Sequence, residues 1–130
     1  MEDTKKQPVR ILVVEDDPDI LNALNIILGS VGFDVDVLLN GKGILKNQFV
    51  LPDLFLIDKQ LPDVDGLEIC RFLRAKPHYR KVPVIVISSS ARLKTRAIEA
   101  GASCFIGKPF TVEELLSAIR QTLQANRKSE

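Results

Sequence analysis

Residues able to do chemistry occur at four places in this 130-residue chain, each just behind a short apolar run. Ile11-Leu-Val-Val14 leads into Glu15-Asp16-Asp17, and Leu54-Phe-Leu-Ile57 leads into Asp58. Val84-Ile-Val-Ile87 leads into Ser88-Ser89-Ser90, and Cys104-Phe-Ile106 is followed, after Gly107, by Lys108-Pro109. Carboxylates gathered at one point repel one another and call for a cation. An all-oxygen set at a shallow edge suits magnesium or manganese, which keep several waters and bridge to phosphate oxygens. A carboxylate is also a nucleophile toward phosphorus, forming an acyl phosphate. Phosphoryl transfer needs chiefly positioning and neutralisation of the equatorial oxygens. A metal, an ammonium and a short hydroxyl supply both, so the set is complete for transfer onto an aspartate.

Each residue also has a plainer role open to it. Asp17 reads first as a helix N-cap. Glu15 and Asp16 could be charges at a helix N-terminus, although two adjacent acids ending a buried strand suit a site better. Asp58 or Ser88 could merely close a strand, and Lys108 could be a solvated loop lysine. Phe105, apolar in an apolar run, could be core and nothing more. His78 is the only histidine and sits in a polar loop beside Pro77, which leaves no histidine-based triad or two-histidine metal site.

Bringing these residues together is the task of the elements between them. The four runs are short, uniformly apolar and largely β-branched, as strands covered on both faces are. A weaker run from Val35 to Leu39, interrupted by Asp36, suits a half-exposed edge strand. Ile20, Leu21, Leu24, Ile27, Leu28 and Val31 follow the spacing of one buried helix face, with Asp17 as N-cap, Pro18 in the first turn and Gly32 as the stop. Thr111-Val-Glu-Glu114 opens the last helix as a capping box. Further helices are expected from about Leu67 to Ala75, from Gly41 to Phe49 and from Leu93 to Ala100. Pro52 and Pro83 fall just before strands, where a missing N–H is tolerated. Strand and helix alternate five times, which with right-handed crossovers implies a doubly wound α/β sheet. In such a sheet all strand carboxyl ends meet at one edge, where ligands bind.

Composition narrows the class. Hydrophobic residues make up 45% and charged residues 27%, an ordinary globular balance in one domain's length. The formal net charge of +1 gives no footprint for direct binding of nucleic acid or of a membrane surface. Cys70 and Cys104 lack metal-like spacing and read as reduced core thiols of a cytoplasmic protein. No apolar run spans a bilayer, and the polar start lacks a signal peptide's core. Residues 1–8 are expected to be a disordered lead, 9–124 the domain, and 125–130 a frayed tail.

Four segments together resemble the receiver domains of two-component response regulators: Ile11 to Pro18, Asp58-Lys-Gln-Leu-Pro-Asp-Val-Asp-Gly66, Pro83 to Ser88, and Ala100 to Phe110. The resemblance runs from Val9 to about Leu123 and implies a flavodoxin-like, three-layer α/β/α fold of five parallel strands and five helices. It implies that Asp58 is the phosphoacceptor. Asp16 would bind the Mg2+ or Mn2+ directly, Glu15 chiefly through metal-bound water, and the main-chain carbonyl of Gln60 would complete the protein ligands beside Asp58. Ser88 would be the switch hydroxyl, Lys108 its partner on the phosphoryl group, and Phe105 the aromatic that turns inward as the hydroxyl moves. Pro109 fits a cis peptide position, while Pro62 and Gly66 fit the loop shaping the acceptor pocket.

The partners implied are a histidine kinase or histidine phosphotransfer protein as donor, and a protein on the face of the fourth helix, fifth strand and fifth helix as target. Such a domain is a signalling module rather than a turnover enzyme, assisting only its own phosphorylation and dephosphorylation. Three departures stand out: Lys59 replaces a more usual apolar residue and adds positive charge near the acceptor, Gln60 and Ser90 fill positions that tune phosphoryl lifetime, and the stretch from Ser88 to Gly101 is short. With no DNA-binding segment after Leu123, output is expected through protein contact, or the chain is a piece of a hybrid kinase or transcription factor. A ligand-binding flavodoxin-like module would need a phosphate-cradling loop where the acids stand. An aspartyl-phosphate hydrolase would need a substrate cap, and a non-phosphorylated interaction module would not need the acidic set.

Overall fold

Three of the four apolar runs form the centre of a parallel sheet whose two faces are both covered, and the fourth, Cys104-Phe-Ile106, forms one edge. The structure, a computed structural model, describes residues 7–128. Its strands are β1 (Arg10–Val14), β2 (Asp34–Leu38), β3 (Leu54–Asp58), β4 (Val84–Ser88) and β5 (Cys104–Gly107). Its helices are α1 (Pro18–Ser30), α2 (Lys42–Leu45), α3 (Gly66–Ala75), α4 (Lys94–Glu99) and α5 (Val112–Lys128), with a 3-10 turn at Ala91–Leu93 ahead of α4. The strands lie in the order β2-β1-β3-β4-β5, all parallel, which is the flavodoxin-like arrangement.

Strand residues alternate between two cores. Leu12, Val14, Phe55, Ile57, Val84 and Val86 face α2, α3 and α4, where Ile44, Leu67, Cys70, Leu73 and Ala97 meet them. Ile11, Val13, Leu54, Leu56, Ile85 and Ile87 face α1 and α5, against Leu24, Leu28, Leu115 and Ile119. Burying each such aliphatic side chain contributes about 1.5–3 kcal/mol, so this three-layer stack fixes the strand ends that carry the site. Both edge strands are partly exposed: β2, as its alternation with Asp36 predicts, and β5, whose apolar run was expected to be covered on both faces but buries only Ile106, because no strand pairs with its outer side.

Helix ends follow their local chemistry. The Asp17 carboxylate accepts the N–H groups of Asp19 (2.9 Å) and Ile20 (3.3 Å), and Gly32 takes φ +98° just beyond α1. The capping box closes as expected: the Thr111 N–H donates to Glu114 Oε1 at 2.8 Å, and the Glu114 N–H donates to Thr111 Oγ1 at 3.0 Å. Replacing Thr111 by alanine is expected to lower stability by about 1 kcal/mol, read from the urea midpoint at unchanged slope.

Three expectations for the helices are corrected. The helix anticipated from Gly41 to Phe49 is a single turn, because Asn47 adopts φ +57° and the Gln48 N–H turns back to the Gly43 carbonyl at 2.8 Å. The tail anticipated as frayed from residue 125 is helical to Lys128, the end of the described residues. The helix anticipated from Leu93 to Ala100 forms as α4, Lys94–Glu99, with Leu93 in the 3-10 turn ahead of it. Val31, placed on the buried face of α1, is 43% exposed, since the helix has ended at Ser30. Of the anticipated lead, residues 1–6 lie outside the described residues, and Gln7 and Pro8 are exposed coil.

Candidate functional site

The carboxyl ends of β1, β3, β4 and β5 bring Glu15, Asp16, Asp58, Ser88 and Lys108 to one edge, beside the switch in strand order between β1 and β3. One ligand oxygen each from Glu15, Asp16 and Asp58 falls within a 4.8 Å cluster. Glu15 and Asp58 are buried and Asp16 is exposed, so the cluster opens to solvent on one side. The Lys108 ammonium lies 3.1 Å from Asp58 Oδ2 and 4.0 Å from Glu15 Oε1.

Main-chain groups set these side chains. The other Asp58 oxygen accepts the Gln60 N–H at 3.1 Å, and Glu15 Oε2 accepts the Asp17 N–H at 3.1 Å. The Lys108 N–H donates to the Ser88 carbonyl at 2.9 Å, tying the lysine's strand end to that of the hydroxyl. Ser88 itself is buried, and its Oγ accepts the Ser90 N–H at 3.1 Å. The Lys108–Pro109 peptide is cis. Phe105 is half-buried against the core on the α3 and α4 side.

The loop from Asp58 to Gly66 is closed on itself. The Gly66 N–H donates to the Lys59 carbonyl at 2.8 Å, and a Cβ on Gly66 would stand 2.6 Å from the Asp58 carbonyl oxygen and 2.7 Å from Lys59 Cα. Both neighbours are backbone, so Gly66→Ala is expected to force the loop open and lower stability by about 1–3 kcal/mol, measured by thermal denaturation. Pro62 is exposed in the middle of this loop.

Two loop acids have roles that the sequence reading did not assign. Asp63 accepts the N–H groups of Gly41 and Lys42, each at 2.9 Å, which anchors the loop to the start of α2 and holds its carboxyl below the usual range. Asp65 caps α3 through the Leu67 N–H at 2.8 Å and pairs with the Lys59 ammonium at 3.0 Å. The Lys59 charge, expected to bear on the acceptor, is thereby engaged by Asp65. An Asp directly before the first residues of a periodic apolar segment is a capping signal and could have marked Asp65. Asp63 acts across 22 residues, a distance at which no local signal exists.

The electrostatics of the cluster call for a cation. Burial, and secondarily the adjacent Asp58 charge, push the Glu15 carboxyl up from 4.5 to about 7, against the opposing pull of the Asp17 N–H and Lys108. Two buried carboxylates share one ammonium, and a third, exposed carboxylate completes an all-oxygen set. A divalent metal fits these donors by charge and by ligand type. A carboxyl raised in this way lends the fold stability that is full below 4.5 and lost as pH rises through about 7. A bound cation restores it and must displace the Glu15 proton at lower pH. Magnesium is therefore expected to raise the melting temperature more at about pH 8 than at about pH 6, checked by scanning calorimetry with and without the metal.

With this geometry in place, the chain can be set beside known proteins. Residues 11–120 match the family model described as the response regulator receiver domain. The chain is 35% identical over 118 residues to the DNA-binding dual master transcriptional regulator RpaA of Synechocystis, covering 88% of this chain and 49% of that protein. It spans about half the length of the curated relatives it matches. Among solved structures, a CheY-like receiver domain protein of Methanospirillum hungatei aligns with TM-score 0.86 at 28% identity, covering 95% of this chain and all of that one. A receiver domain of a Pseudomonas aeruginosa sensor histidine kinase, with magnesium coordinated in its active-site cleft, aligns with TM-score 0.81 at 28% identity over 91% of this chain and 99% of that one. No helix among the described residues is long and apolar enough to cross a membrane. Fold, edge cluster and the match over residues 11–120 agree: this chain belongs to the receiver-domain family of two-component response regulators.

Proposed function

We propose that Asp58 accepts a phosphoryl group from a phosphohistidine donor, a histidine kinase or histidine phosphotransfer protein, and that this changes the face formed by α4, β5 and α5. The observation that carries the reading is a buried aspartate flanked by two further carboxylates and faced by an ammonium at 3.1 Å, at an open sheet edge. In it, Asp16, Asp58 and the main-chain carbonyl of Gln60 would hold Mg2+ or Mn2+, and Glu15 would act on the metal chiefly through water. The metal supplies charge neutralisation of the phosphoryl oxygens and of the acidic cluster.

The chain's own residues do the rest. Asp58 presents Oδ1 to the Gln60 N–H and Oδ2 to Lys108, which hold the carboxylate in place for attack on phosphorus. The leaving imidazole nitrogen takes the electron pair of the broken P–N bond as the O–P bond forms. Lys108 then pairs with a phosphoryl oxygen. The Ser88 hydroxyl, now an acceptor for Ser90, turns to donate to another. A phosphoryl group brings about two negative charges and strong acceptors, enough to bias a two-state element. Movement of Ser88 frees space for the half-buried Phe105, and the target partner reads the altered face.

Incubation with magnesium and acetyl phosphate tests this. Wild type is expected to gain the mass of one phosphoryl group, and Asp58→Asn none. Equal labelling of the two would place the acceptor elsewhere.

A further inference from the structure

Lys59 follows Asp58 and opens the loop that runs to Gly66. Its main chain is fixed on both sides: the Lys59 N–H donates to the Ile87 carbonyl of β4, and the Lys59 carbonyl accepts the Gly66 N–H, each at 2.8 Å. The side chain then closes the neck of the loop a second time, with its ammonium 3.0 Å from Asp65 Oδ2. Glu68 and Glu99 line the same cleft as Lys59, yet the ammonium sits on Asp65, which belongs to the loop itself. The Lys59 side chain is 21% exposed and that of Asp65 42%, so water screens the pair only in part.

Neither of the loop's other needs calls for this pair. Asp65 caps α3 through Oδ1 alone, by accepting the Leu67 N–H at 2.8 Å. The backbone is already closed by the Gly66 to Lys59 hydrogen bond. What the pair adds is resistance to opening, because Lys59 and Gly66 cannot part without also separating two charges. At the far end of the loop, Asp63 is tied to the N–H groups of Gly41 and Lys42. Gln60, Leu61 and Pro62 therefore lie between two fixed points, and the Gln60 N–H is engaged by Asp58 Oδ1 at 3.1 Å.

We infer that the Lys59–Asp65 pair is a positioning clasp that holds the Gln60 main-chain carbonyl at the reach of a small divalent cation, so that the site selects magnesium over calcium. The inference rests on the metal site of the proposed function. Groups behind a ligand orient it and tune the metal. Magnesium demands near-octahedral oxygens at about 2.0–2.1 Å, whereas calcium accepts a looser shell at about 2.3–2.6 Å. A carbonyl free to drift by a few tenths of an ångström thus weakens magnesium binding and leaves calcium binding nearly unchanged. Charge alone has no such preference: an ammonium near the site repels both cations alike, and a carboxylate attracts both alike.

The test titrates magnesium and calcium separately into the whole metal-free chain, followed by calorimetry, for wild type, Lys59→Met, Asp65→Asn and the double variant. Asparagine keeps an oxygen for the Leu67 N–H, so α3 keeps its cap. The ratio of magnesium to calcium affinity is expected to fall about threefold in all three variants, on the scale of a partly exposed ion pair. In the double variant, whose net charge is that of wild type, the fall should come from magnesium alone. Lys59→Arg should restore the ratio, which general weakening of the fold would not allow. A constant ratio, with both affinities rising in Lys59→Met and falling in Asp65→Asn, would mean charge alone and overturn the clasp. Amide exchange in the metal-free chain reads the clasp without any metal: the Gly66 N–H should exchange faster in Lys59→Met, and equal protection would also overturn it. Asp58→Asn separates the two levels of the argument. If it leaves magnesium affinity intact, the proposed metal site fails and the clasp's role in it fails too; if it abolishes binding while Lys59→Met keeps the wild-type ratio, the clasp alone is refuted.

Discussion

Combining Glu15→Gln with Asp16→Asn is expected to weaken magnesium binding by at least about tenfold and, in the same molecule, to raise the melting temperature of the metal-free protein above neutral pH. The opposite signs follow from what Glu15 does in each state. Without metal it is a buried carboxyl beside Asp58, and its deprotonation near pH 7 lowers stability through burial and repulsion. Glutamine removes that charge while keeping an oxygen to accept the Asp17 N–H, so the local backbone retains its anchor. Asparagine at the exposed position 16 removes a ligand of ionic character with little effect on packing. With metal present, the loss of two of three carboxylates leaves Asp58 as the one anionic ligand, already shared with Lys108 at 3.1 Å. Calorimetric titration reads the affinity, and thermal scans at about pH 8 without metal read the stability. Unchanged affinity would remove the acidic cluster from the metal site. A lower apo melting temperature would make Glu15 a structural residue rather than a strained ligand.

How much of this was legible in the sequence depends on the range of the interaction. Burial patterns and caps are local, so β1 to β5, the Asp17 and Thr111 caps and the edge character of β2 could be read directly. The convergence of Glu15, Asp58, Ser88 and Lys108 was legible too, because every parallel strand delivers its carboxyl end to one edge. What could not be read was set by single conformations or by distant partners. Asn47 ends α2 after one turn by entering a positive φ that most sequences with the same apolar spacing avoid. Lys59 looked like a charge added to the acceptor, and only the folded loop reveals that Asp65 engages it. The Asp63 carboxylate reaches across to the amides of Gly41 and Lys42, which no periodicity encodes.

Lys108→Met is expected to destabilise the metal-free protein at about pH 8 by on the order of 2 kcal/mol, below the about 3–5 kcal/mol of fully buried pairs, because 27% of the Lys108 side chain is exposed. The variant leaves Asp58 and Glu15, both buried, with no cation between them. The Glu15 carboxyl then loses the pull by which Lys108 lowers it. A group whose folded pKa is raised loses its stabilising contribution as pH rises, so the deficit should shrink on acidification to about pH 6. Magnesium should also shrink it, by supplying the missing positive charge. In the phosphorylation assay the same variant is expected to gain mass from acetyl phosphate at least about tenfold more slowly, since a preorganised cation facing the transferred group is gone. Lys108→Arg retains the charge with a wider, planar head and should fall between the two. These measurements separate charge from shape: stability that is pH-independent in Lys108→Met would assign the effect to lost side-chain packing. Recovery with either protons or magnesium identifies Lys108 as the counter-ion of the two buried carboxyls, Glu15 and Asp58.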